Sequence, residues 1–289
     1  MVVVVMVAAA SSQRVVVTTD DGKISGVKLK TIKGRDFYCF KSILYAKAPV
    51  GDLRLRDPVA GEVWEGVRDG GVVAPMCPQT LRRQRIYLGD EDCLYLTVST
   101  HKPGDIEVQH PVLVMIHGGA HSFSSIEEFP PTIFMDYDVI YVGVQYRLGV
   151  LGFLSTEDSI IPGNFGLKDQ LLALRWIQNN IGYFGGDPMK LTILGHSSGA
   201  ICVHCLVLSP HSKGLFTKAI IQSGSMFVPF ASTVPNRNLA HYTGMLFGCP
   251  HTQDMSREEA SLTLYNCLLK VDVQNVTLSL LDHYVSLNT

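Results

Sequence analysis

The 289-residue sequence has no apolar run approaching the roughly 18 residues a membrane-crossing helix requires, so no such span is expected. Charge of either sign is not in excess. The 24 lysines and arginines against 26 aspartates and glutamates leave a net charge of −2, which removes the electrostatic basis for nucleic-acid binding. The one basic cluster, Arg82, Arg83 and Arg85, falls in a predicted loop and reads as a solvated face. The seven cysteines show no four-ligand zinc spacing, so neither a metal centre nor a cofactor site is expected. Internal repeats and low-complexity linkers are also missing. With 46% hydrophobic and 17% charged residues, the chain is too apolar for disorder and long enough for one large domain.

What is present alternates. Short β-rich runs at 15–19, 26–31, 94–99, 111–116, 139–144, 190–194 and 218–222 are interleaved with helical patterns at 169–179 and 198–208. That alternation predicts an α/β fold, a mostly parallel central sheet with flanking helices. The continuous apolar runs at 111–116 and 139–144 fit strands buried on both faces. Beyond Pro235 the pattern turns polar and helical. Cys202 and Cys205 read as buried thiols on one helix. At the start, residues 2–10 are apolar and end in three alanines, the size of a signal-peptide core with a small-residue cleavage site. The positively charged leader is absent, and a strand is the other reading. We therefore expect a signal segment over 1–12 and a secreted protein, with a cytoplasmic one as the alternative. Asn275-Val276-Thr277 is a glycosylation sequon, which agrees with secretion.

Gly195-His196-Ser197-Ser198-Gly199 fits G-x-S-x-G. The spacing has a chemical reason. A serine on a sharp strand-to-helix turn is held in a strained backbone conformation with its hydroxyl raised above the sheet, and glycines two residues either side let backbone pass closely. The pattern alone is weakly specific, but here an apolar strand precedes it and a helix follows. Ser197 is thus the candidate nucleophile; the competing reading is a serine in an ordinary glycine-rich turn. Ile116-His117-Gly118-Gly119-Ala120 follows a buried strand, and its small residues allow backbone N–H groups to face a substrate oxygen. Gly119, Ala120 and the amide of Ser198 form the candidate oxyanion hole.

With these residues in hand, the chain resembles the type B carboxylesterase and cholinesterase family. Tyr45–Arg54 matches its early signature and Glu91–Leu96 its second. Tyr146-Arg147-Leu148-Gly149, Gly163–Gln170, Phe184–Pro188 and Gln222–Ser225 follow in family order. The resemblance covers about residues 20–270 and implies an α/β-hydrolase fold and a carboxylic ester hydrolase acting on a small-molecule ester. It implies two disulfides, Cys77 with Cys93 and Cys249 with Cys267; four buried thiols are the alternative. It places Phe230 where the acyl pocket is shaped, favouring small or flexible acyl groups, although core packing would also explain a phenylalanine there. No tryptophan lies between Cys77 and Cys93, where cholinesterases stack a cationic head group. His196 stands where many members have glutamate, as in insect carboxylesterases.

In this fold the triad runs Ser, then Asp or Glu, then His. After Ser197 come Asp254, Glu258, Glu259, Asp272 and Asp282, and the histidines His204, His211, His241, His251 and His283. None follows a readable late strand, and the family is about twice as long. The expectation is a domain over 13–289 that is incomplete at its C-terminus, lacks the acid and base, and carries an open apolar strand edge. Two other readings stay open: a catalytically inactive cholinesterase-like binding or adhesion protein, and a complete small esterase using His283.

Overall fold

The computed structural model describes residues 14–81, 85–104, 109–228, 236–250 and 254–286, with the side chains of 280–286 left aside. The apolar segment at 1–12, Arg82, Arg83, Phe230 and His251 lie outside the described residues. In chain order the elements are β1 (Arg14–Thr18), β2 (Lys23–Lys30), β3 (Asp36–Leu44), β4 (Val67–Asp69), β5 (Gln79–Leu81), β6 (Ile86–Leu88), β7 (Tyr95–Thr100), β8 (His110–Ile116) and β9 (Ile140–Val144). Then follow α1 (Gly149–Phe153), α2 (Phe165–Asn180), β10 (Gly186–His196), α3 (Ser198–Leu208), β11 (Lys218–Gln222), α4 (Asn236–Leu246), α5 (Arg257–Leu268) and α6 (Val273–Ser286).

Apart from the small β5–β6 hairpin, the described strands form one sheet in the order β1-β2-β3-β7-β9-β8-β10-β11, with β4 beside β2. The sheet is mixed. Pairing is antiparallel from β1 through β9 and parallel from β9 through β8 and β10 to β11. This is the α/β-hydrolase architecture, and its parallel half carries the G-x-S-x-G motif at the C-terminal end of β10.

Side-chain alternation along the strands divides the core in two. Val114, Ile116 and Ile193 point to one face, where Ala173, Leu174, Trp176 and Ile177 of α2 and Cys202, Val203 and Leu206 of α3 cover them. Met115 and Leu194 point to the other, against Tyr141, Met135 and the partly buried Phe129 and Phe134. All five residues of β9 are buried, as a doubly covered strand requires. β11 differs: all five of its residues are exposed, with Ile220 and Ile221 each at 40%. A third cluster gathers Val150 and Leu151 of α1, Phe165, Ala240, Leu264, Leu268 and Val276. There α5 starts on a capping box, in which the Ser256 hydroxyl accepts from the Glu259 amide and the Glu259 carboxylate accepts from the Ser256 amide.

Several expectations are amended. β3 was not foreseen, α2 starts at Phe165 rather than 169, and β10 runs well beyond 190–194 at both ends. Cys205 is only half-buried, whereas Cys202 is buried. Both disulfides form. Cys77–Cys93 closes the segment holding β5 and β6, and Cys249–Cys267 joins the segment after α4 to α5, with Cα separations of 5.0 and 5.7 Å.

Candidate active site

Ser197 sits between the end of β10 and the start of α3 with φ 56° and ψ −123°. A non-glycine residue there is strained, at a cost of order 1–3 kcal/mol that the surrounding backbone must hold in place. The restraints are visible. The Ser197 N–H donates to Gln222 O at 2.8 Å, and Ala200 N–H donates to Ser197 O at 2.9 Å. A Cβ on Gly195 would strike the Gly199 carbonyl, one on Gly199 the Ile116 carbonyl, and one on Gly224 the Ser197 carbonyl. The elbow therefore exists because three glycines let β8, β10, α3 and the residues after β11 approach without side chains.

The loop after β8 lies against this elbow: a Cβ on Gly118 would stand 3.0 Å from Ser197 Cβ and 2.5 Å from His196 O. From there Gly119, Ala120 and His121 take positive φ values of 107°, 53° and 56°. The amides of Ser122 and Phe123 both donate to Gly119 O, at 2.9 and 3.0 Å, closing a tight turn. The N–H groups of Gly119 and Ala120 bond to no described residue. Ser198 is the first residue of α3, where a helix leaves its amide without an intrahelical partner. The structure thus brings together Ser197, Gly119, Ala120 and Ser198.

His117 anchors the loop from beneath. It is fully buried, stacks on Tyr146 with centroids 4.4 Å apart, and its carbonyl accepts from the Tyr146 hydroxyl at 2.7 Å. Its Nδ1 bonds to Gly118 O at 2.9 Å, while Nε2 has no partner. Burial drives its pKa down to about 4. An unfolded histidine titrates near 6.5, so between the two values the unfolded chain binds more protons. This contribution is intact above about pH 6.5 and is lost as pH falls toward 4, a loss on the order of 3 kcal/mol. His117→Phe, which retains the stack, is expected to flatten the melting temperature against pH over that window. Parallel curves for the variant and the wild type would refute it.

The histidines considered as bases lie elsewhere or are undescribed. His204 Nδ1 bonds to the Ser225 hydroxyl at 3.2 Å and accepts from Met226 N–H at 3.4 Å. His211 is exposed and His283 falls on α6 outside the described side chains. His196 is exposed with its ring 6.0 Å from Phe129. The Ser197 hydroxyl is hydrogen-bonded to none of the described residues.

The signature segments have roles that the motif reading left unassigned. Arg147 Nε and Nη2 donate to Asp169 at 2.8 and 2.7 Å, and Asp169 also accepts the Arg147 amide. Arg54 Nε and Nη2 donate to Glu91 at 2.7 and 2.6 Å. Arg54 Nη1 also reaches the carbonyls of Leu268 and Val271. Four signature residues therefore form two bidentate pairs that tie the N-terminal strands to the helices.

The chain matches the carboxylesterase family over residues 13–286. It belongs to that family. Esterase FE4 of Myzus persicae is 43% identical over 237 residues, covering 79% of this chain and 42% of that protein. Venom carboxylesterase-6 of Apis mellifera is 40% identical over 233 residues, again 79% of this chain and 42% of that one. Among solved structures, juvenile hormone esterase from Manduca sexta with OTFP covalently attached superposes with a TM-score of 0.80 at 33% identity, over 92% of this chain and 50% of that chain. This carboxylesterase chain spans about half the length, or less, of these relatives.

Proposed function

We propose that this carboxylesterase-family chain carries the nucleophile and oxyanion cradle of a serine-dependent carboxylic ester hydrolase. The carrying observation is Ser197 at φ 56°, ψ −123° on a strand-to-helix elbow packed against Gly118. In the proposed reaction the Ser197 Oγ bonds to the ester carbonyl carbon while its proton passes to a base. The amides of Gly119, Ala120 and Ser198 hold the oxyanion, each worth about 3 kcal/mol in the transition state. Collapse expels the alcohol, and water then releases the acid from the acyl-serine. No described histidine bonds to Ser197, so the reading takes its base and acid from residues outside those described. Phe230 remains the proposed acyl-pocket residue. The covalent OTFP adduct of the Manduca sexta enzyme supports a covalent route for this fold.

An extracellular setting is proposed from the two disulfides and from Asn275, which is exposed near the start of α6.

A fluorophosphonate probe tests the reading. The expected result is labelling that disappears in Ser197→Ala, either in this chain or only in a longer product of the same transcript. The second arm would place the base beyond these 289 residues. Labelling of neither, in folded protein, would overturn the esterase reading and favour a binding role.

A further inference from the structure

Beneath the amide loop lies a side chain that the motif does not specify. His121 touches α3 at three points. Its N–H donates to the Ser198 hydroxyl at 3.1 Å, its Nε2 lies 3.1 Å from Ser198 O, and the same nitrogen lies 3.3 Å from Cys202 Sγ. A carbonyl oxygen only accepts, so Nε2 carries the proton in this arrangement. The His121 carbonyl accepts from Gly149 N–H at 2.6 Å, and the ring packs 4.9 Å from Phe153. One residue thus joins the loop after β8, the start of α1 and the first turn of α3.

The consequence is geometric. The cradle draws donors from two separate segments, Gly119 and Ala120 in one and Ser198 in the other. Backbone bonds within the 119–123 turn fix the loop's shape but not its distance from α3. The His121–Ser198 contacts do that, because Ser198 both supplies a donor N–H and receives the two bonds from His121. Free amides 1 Å out of place lose much of their value to an oxyanion.

We propose that His121 is a positioning residue that latches the amide loop to α3, so that the oxyanion donors of the two segments keep one spacing. The inference rests on the reading of Ser197 as nucleophile and of these amides as its cradle. It acts through Ser198 and does not touch the reacting atoms.

The test compares wild type, His121→Phe, His121→Gln and Ser198→Ala by amide hydrogen exchange and by the rate of fluorophosphonate labelling. His121→Phe retains a ring against Phe153 without the Nε2 donor. It is expected to speed exchange of the amides at 119–123 by about tenfold, the equivalent of one hydrogen bond. Labelling should slow by about ten- to a hundredfold, through the maximal rate rather than through probe affinity. His121→Gln, whose side-chain amide can reach the same carbonyl, should recover most of both. Ser198→Ala should speed exchange of the His121 amide itself, which supplies an independent readout if His121→Phe fails to fold. Unchanged exchange in both His121→Phe and Ser198→Ala overturns the latch. Loosened exchange in a folded protein whose wild type labels in no form leaves the tie standing and instead removes the nucleophile reading.

Discussion

Asp169→Asn is expected to lower the free energy of unfolding by about 3–5 kcal/mol, the penalty for leaving a buried charge without its partner. Arg147 and Asp169 are 3% and 0% exposed at their side chains, and three hydrogen bonds join the two residues. Asparagine keeps the shape but not the charge, so the guanidinium would remain in the core without a counter-ion. Arg147 Nη1 donates to Arg56 O at 2.8 Å, and that single carbonyl cannot replace a carboxylate. The damage would spread, because Cβ atoms on Gly152 of α1 or Gly166 of α2 would strike the Arg147 carbonyl, showing how closely both helices seat on it. Urea unfolding followed by tryptophan fluorescence measures the loss. A double variant, Arg147→Met with Asp169→Leu, should recover part of it, since no buried charge is left unpaired, although the backbone N–H of residue 147 and the Arg56 carbonyl lose their partners. As a contrast, Arg14→Ala, which breaks the exposed pair with Asp69, should cost far less, because solvent screens that pair. If Asp169→Asn costs no more than this surface variant, the buried pair is not what holds the helices to the sheet.

Gly119→Val is expected to slow serine labelling on the order of 10²–10³-fold, the effect of removing one oxyanion donor. Gly119 has φ 107°, a conformation L side chains rarely adopt, and a Cβ there would land on the Phe123 carbonyl. Valine must therefore rotate the 119–120 peptide or push the 119–123 turn open. Either movement redirects the free N–H groups of Gly119 and Ala120. Stability should change far less than reactivity, because the bonds directly at stake are the two that close the turn on Gly119 O, and the turn lies outside the three core clusters. Ala120→Gly provides the opposite test. Ala120 already has φ 53°, so glycine relaxes the backbone and should leave labelling within a few-fold of wild type. A Gly119→Val protein that labels at the wild-type rate would remove this loop from the site.

The open edge of the sheet bears on how either variant is handled. β11 presents Ile220 and Ile221 to solvent, and Val207 and Leu208 at the end of α3 add exposed apolar area nearby in sequence. A strand edge of this kind is a template for pairing with another chain, so self-association must be controlled in the stability measurements.

What was legible in the sequence was local. The apolar runs of β8 and β9 announced themselves because a strand covered on both faces has no place for polar residues. The elbow and the amide loop were legible because each needs glycine at fixed offsets from one serine or one strand end. β3 was missed because Cys39, Lys41 and Ser42 interrupt its apolar residues; its pairing with β2 and β7 determines its state. Cys205 was read as buried from an apolar helix, but burial depends on what the fold packs against each side of α3, and that side is only partly covered.

By itself, then, the sequence determined the serine elbow, the glycine loop and the family, since close backbone approach leaves a mark in residue type at short range. Only the tertiary structure decided that Asp169 neutralises Arg147 across 22 residues and that Glu91 neutralises Arg54 across 37. It also decided that His121 meets Ser198 across 77. Those partners are chosen by where the sheet and helices place them, and ion pairs and hydrogen bonds act over a few ångströms of space however far apart the residues are in the chain.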